Sequence, residues 1–112
     1  MRFLFSLFLS FFTVYTLSSH SSFAQKIDLD VGEQVFSQNC AACHAGGNNS
    51  VNPIKSLKFD DLDKYGKSSI ETIKYQVENG FGPMPAFAGR LSDEEIFCVA
   101  HFVLSQAKNN TW

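Results

Sequence analysis

At 112 residues the chain is short enough for a single domain. Its formal charge of −2 argues against nucleic-acid binding, because phosphate recognition needs a basic surface. Three cysteines are an odd number, which does not suit a disulfide scaffold.

Residues 1–24, MRFLFSLFLSFFTVYTLSSHSSFA, carry one charge, at Arg2. A basic start, an apolar run from Phe3 to Leu17 and the exit Ser22-Phe23-Ala24 predict a secretory signal peptide cleaved before Gln25. The alternative is a retained membrane anchor, but the run is shorter than the roughly 20 residues that span a bilayer. Without this segment, residues 25–112 hold eight basic and eleven acidic residues, a formal charge near −3. That balance permits steering toward a basic protein partner. A domain of this size buries a modest share of its surface and often relies on a staple or a cofactor.

Four helices are predicted in residues 25–112. The first runs from about Asp30 to Asn39. Asp30 and Glu33 have capping-box spacing, and Val31, Val35 and Phe36 form an apolar stripe. A loop rich in turn formers, AGGNNSVNP, covers residues 45–53. A short helix follows around Asp60 to Tyr65. The third helix begins after Ser68, with Ser68 and Glu71 as its box. Ile70, Ile73, Val77 and Tyr75 form its buried side, and Gly80 is its stop. Two prolines and three glycines between Gly80 and Gly89 exclude a regular helix there. The fourth helix starts at Ser92-Asp93-Glu94-Glu95 and repeats Ile96, Val99, Ala100, Val103, Leu104 and Ala107 at helical spacing. No segment alternates with period two, so the fold is expected to be all-α.

Residues 40–44 read Cys-Ala-Ala-Cys-His. A zinc site would need four ligands, and only Cys98 and His101 could complete one. A redox pair belongs at a strand-to-helix junction, and no strand is evident. A plain disulfide leaves the adjacent histidine without a role. Cys-x-x-Cys-His is also the attachment signature of c-type haem. Cysteines three apart lie on one side of a helical turn, where each can reach a vinyl group of one porphyrin. The next residue, His44, is then carried to the iron. Met84, held between Pro83 and Pro85, is the candidate second ligand. A His/Met pair raises the iron potential and leaves no free coordination position, which favours electron transfer over catalysis. His44 should donate its other ring N–H to an acceptor; the Asn52 or Pro53 carbonyl and the Asn48 side chain are the candidates.

The stretches CAACHAGGNN, YQVENG, MPAFAGRLSDEE and VLSQAKNNTW together resemble the cytochrome c6 family over essentially all of residues 27–112. The resemblance implies a class I cytochrome c fold of about four helices around one haem c. It implies covalent attachment at Cys40 and Cys43, with His44 and Met84 axial. It implies a soluble, monomeric carrier and not an enzyme, taking electrons from the cytochrome b6-f complex to photosystem I in a thylakoid lumen, of a plastid or a cyanobacterium. Gly32, Phe36 and Phe102 match the family's crossing of first and last helices. Gln76 matches a glutamine near the haem, where the related cytochrome c6A has an apolar residue. Lys55 resembles a residue near the propionates, and Arg90 an arginine used in docking to photosystem I. Phe81, Pro83, Ala86 and Phe87 are the expected apolar contact patch. Phe81-Gly82-Pro83 departs from the family's usual Lys-Asn-Ala before the methionine. In the last helix, Phe97, Cys98 and His101 depart too. Cys98 is expected to be an inert, partly buried thiol, and either Phe97 or Cys98 could mark a contact patch.

Overall fold

The computed structural model describes residues 25–112; the predicted signal peptide, residues 1–24, lies outside them. Among the described residues the fold is helical, with α1 at Leu29–Asn39, α2 at Ala41–His44, α3 at Phe59–Lys64, α4 at Ile70–Asn79 and α5 at Asp93–Asn109. A 3-10 turn, Ala45–Gly47, continues α2. No strand is present among these residues, and two isolated bridges, Phe81 to Met84 and Ala88 to Leu91, tie the loop before α5. None of the described helices is long and apolar enough to cross a membrane.

The helix starts show how caps are chosen. α1 is capped by Asp28 and not Asp30: the Asp28 carboxylate accepts from the backbone N–H groups of Asp30 at 3.0 Å and Val31 at 3.2 Å. α4 is capped by Ser69 and Thr72, one residue beyond the expected Ser68–Glu71 box. Thr72 can reciprocate through its short hydroxyl, which accepts from the Ser69 N–H at 3.3 Å. Ser68 donates instead to Asp63 Oδ1 at 3.1 Å. α5 begins as the sequence predicts, with Glu95 N–H donating to Ser92 Oγ at 3.1 Å and Ser92 N–H to Glu95 Oε1 at 3.0 Å.

The core lies where α1 and α4 pack on α5. Val35, Phe36, Ile73, Val77 and all six predicted apolar positions of α5 are buried. Tyr75 is not part of this face; it is 64 % exposed. α1 crosses α5 at Gly32, where a Cβ would collide with the Cys98 carbonyl and lie 2.7 Å from Phe102 Cβ. Cys98, expected to be partly buried, is fully buried at this crossing, so it offers no contact surface. Its Sγ lies 3.8 Å from the Lys26 carbonyl oxygen. Phe36, Phe102 and Trp112 form an aromatic cluster beside the crossing, with ring centroids 5.4–6.2 Å apart.

Candidate functional site

α1 ends at Cys40, whose N–H donates to the Phe36 carbonyl at 2.8 Å. The single turn of α2 then carries Cys43 and His44. The chain bends at once through Gly46 and Gly47, with φ of 67° and 75°. Gly47 is needed twice over, because a Cβ there would lie 2.5–2.6 Å from the Trp112 indole. The bend brings the backbone carbonyl of Asn48 to 2.9 Å from His44 Nδ1. A carbonyl can only accept, so Nδ1 carries the proton and Nε2 keeps the lone pair that a metal ligand needs. The acceptor is thus none of the three candidates from sequence. The following loop is held by Asn49, which accepts from the N–H groups of Val51 and Asn52 and donates to the Lys55 carbonyl. Buried Ser56, bonded to Asp61, ties the loop to α3.

The methionine loop is built from the other side. α4 stops at Gly80, with φ of 68°, and the chain doubles back so closely that a Cβ would lie 2.5 Å from the Met84 carbonyl oxygen. Phe81 and Met84 exchange two backbone hydrogen bonds, of 3.1 and 3.0 Å. Gly82, with φ of 55°, takes the first position of this two-residue turn, where a II′ hairpin favours glycine. Pro83 takes the second, so its missing N–H is not required. Phe87 and Ala88 then donate to the Val77 and Glu78 carbonyls and lay the loop along α4.

Between these two loops lies a cavity of about 650 Å³, within the roughly 300–1,000 Å³ typical of ligand sites. Cys40, Cys43, His44 and Met84 all line it, as do Gln76 and Lys55. Most of its wall is apolar, from Phe36, Leu57, Leu62, Ile73, Val77 and Phe87. Gln76 Nε2 lies 3.7 Å from Met84 Sδ. Lys55 Nζ sits over two rings, 5.2 Å from the centre of Tyr65 and 5.4 Å from that of Phe81. The Arg90 guanidinium lies 4.9 Å from the Phe87 ring centre. Phe87 itself is buried, 4 % exposed, so it belongs to the cavity wall and not to an outer patch. Phe81, by contrast, is 70 % exposed. A loop phenylalanine gives no sequence signal for which way it packs; the two hydrogen bonds onto α4 decide it.

The donor set fits a covalently held haem. All three cysteines are unpaired. Burial pushes the Cys40 thiol up to about 11, as expected of a thiol set among apolar side chains. Among the described residues no group of three or more His, Cys, Asp or Glu side chains is placed to hold a metal ion. What the cavity offers is two thiols, an imidazole with a free Nε2, a thioether and apolar walls. Lys67 and Tyr65, which sequence reasoning did not single out, also line it.

A helical fold with this constellation defines a c-type cytochrome. The family model described as cytochrome c oxidase, cbb3-type, subunit III matches residues 28–103. Cytochrome c6 of Gracilaria tenuistipitata var. liui is 50 % identical over 109 residues, 97 % of this chain and 98 % of that protein. Chloroplastic cytochrome c6 of Chlamydomonas reinhardtii is 51 % identical over 98 residues, 86 % of this chain and 66 % of that protein. The crystal structure of cytochrome c6 from the diatom Phaeodactylum tricornutum superimposes with a TM-score of 0.73 at 50 % identity. It covers 76 % of this chain and 99 % of its own. The chain belongs to the cytochrome c6 family. It is a haem c electron carrier and not an enzyme, and its cofactor is one covalently attached haem.

Proposed function

We propose that the protein takes electrons from the cytochrome b6-f complex and delivers them to photosystem I, with Cys40 and Cys43 as thioether anchors and His44 and Met84 as axial ligands. The observation that carries the ligand assignment is the joint placement of His44 and Met84 on the wall of one largely apolar cavity. Haem supplies an iron that changes by one electron. The chain's own residues hold that iron in a fixed setting. The Asn48 carbonyl orients the imidazole, the Gly82-Pro83 turn presents the thioether, and the apolar walls keep out water. Little then has to rearrange when an electron arrives or leaves. Exposed Phe81 and Pro83 offer a small apolar contact area, and exposed Arg90, over the Phe87 ring, offers a charge, suited to brief, weak docking.

Residues 1–24 act as a cleaved export signal, and the carrier works in a thylakoid lumen. Three matches support this. The Gracilaria protein aligns with 97 % of the chain, whereas the whole diatom structure accounts for 76 % of it, close to the share of residues 25–112. The Chlamydomonas relative is described as chloroplastic.

Met84→Ala tests the ligand. It should retain covalent haem and lower the reduction potential by more than about 60 mV, a tenfold change in a one-electron equilibrium. An unchanged potential would remove Met84 from the iron. Flash-induced reduction of photosystem I tests the partner. Added ferrous protein should produce a fast phase, and its absence would favour an oxidase as acceptor, the alternative to which the matched family's description points.

A further inference from the structure

The Met84 hairpin stands away from the helices at its tip. Phe81 is 70 % exposed, Gly82 and Pro83 are exposed, and beyond its chain neighbours no atom lies within 4 Å of where a Gly82 Cβ would be. Burial therefore does little to hold this tip down. One charged contact reaches it from the opposite loop: the Lys55 ammonium, 5.4 Å from the Phe81 ring centre and 5.2 Å from that of Tyr65. The Lys55 backbone is itself anchored, its carbonyl accepting from Asn49 Nδ2 at 3.0 Å. Tyr65 closes α3 as its C-terminal cap. The cation thus links an anchored part of the haem-attachment side to the exposed edge of the ligand loop. Phe81 passes any restraint to Met84 directly, through their paired backbone hydrogen bonds.

We propose that Lys55 and Phe81 form a cation–π strap across the cavity mouth that positions Met84 and limits how often it leaves the iron. Both are positioning residues, acting through the hairpin and not on the iron. An exposed cation–π contact of this kind corresponds to about a two- to fivefold change in the hairpin's opening equilibrium. Phe81 is so exposed that its removal should leave the global stability nearly unchanged, which separates strap from fold.

The inference rests on Met84 as the axial ligand, and one experiment distinguishes the two. Imidazole binding to the ferric holoprotein is followed by absorbance against imidazole concentration. In the natural protein the rate should reach a plateau set by hairpin opening. Phe81→Leu keeps apolar bulk but removes the ring face and should raise that plateau about two- to fivefold. Phe81→Tyr should restore it. Lys55→Met should raise it as well, and combining Lys55→Met with Phe81→Leu should add little, because each removes the same contact. A plateau unmoved by Phe81→Leu, or a double variant whose effects simply multiply, would overturn the strap alone. A natural ferric protein without the weak far-red band of a methionine–iron bond would remove Met84 from the iron, and the strap with it.

Discussion

Replacing Gly32 by alanine strikes a place where two helix backbones meet. The added Cβ would overlap the Cys98 carbonyl oxygen and lie 2.9 Å from the Cys98 carbonyl carbon and 2.7 Å from Phe102 Cβ. Carbon atoms in contact normally sit about 3.5–4.0 Å apart, so α1 and α5 would have to part by about 1 Å. Two of the three obstacles are backbone atoms and the third is a Cβ, so no side chain can swing aside. Overpacking of this kind costs about 1–3 kcal/mol. Alanine recovers at most about 1 kcal/mol of helix propensity over glycine. With rigid backbone in the way the cost lies in the upper part of that range, about 2–3 kcal/mol, so the net loss is about 1–2 kcal/mol, and at about 4–8 °C per kcal/mol for a domain of this size the melting temperature should fall by roughly 4–16 °C. Thermal unfolding of the ferric holoprotein, followed by circular dichroism, measures it. Gly32→Val should be worse than Gly32→Ala. A Gly32→Ala protein as stable as the natural one would show that the crossing has slack and that backbone contact does not set the helix spacing.

Three further outcomes follow from the site. Gln76→Val removes the amide N–H near Met84 Sδ, whose positive end disfavours the more highly charged ferric state. At about 0.5–1.5 kcal/mol for one hydrogen bond, the potential should drop by roughly 20–65 mV in a redox titration. Cys40→Ser and Cys43→Ser should each leave haem held by at most one thioether, seen as lost covalent haem in mass spectra and increased loss to acidic acetone. Gly47→Ala combines a left-handed φ of 75° with a collision against Trp112. It should destabilise by at least about 1–2 kcal/mol from backbone strain alone, and this should appear as a melting temperature lower by several degrees.

The proposed cofactor anchors stand out in the sequence because their chemistry is local. Two thioethers and an imidazole on one ring demand a fixed spacing along a helical turn, and Cys40, Cys43 and His44 display it as consecutive text. Met84 stands out as the proposed second ligand because it is the sole methionine beyond residue 24 and is flanked by prolines. The apolar face of α5 was equally plain, since a period near 3.6 residues survives any detail of packing. Caps were legible only to within a residue or two, because Asp28 and Asp30, or Ser68 and Ser69, are chemically equivalent choices until the backbone selects one.

Other features have no signature in the chain order. The acceptor for His44 is a backbone carbonyl, which every residue possesses; the bend at Gly46 and Gly47, closed by Trp112 from the far end of the chain, presents the one at Asn48. Phe81 and Phe87 read alike as loop phenylalanines, yet one lies outside and the other in the cavity wall, because only Phe87 follows the backbone where it bonds to α4. Cys98 became a buried thiol through the close approach that Gly32 allows. Covalent spacing and helical period are properties of neighbours along the chain and can be read from it. Which carbonyl, ring or thiol faces the cavity depends on contacts between distant segments, and those exist only once the helices have packed.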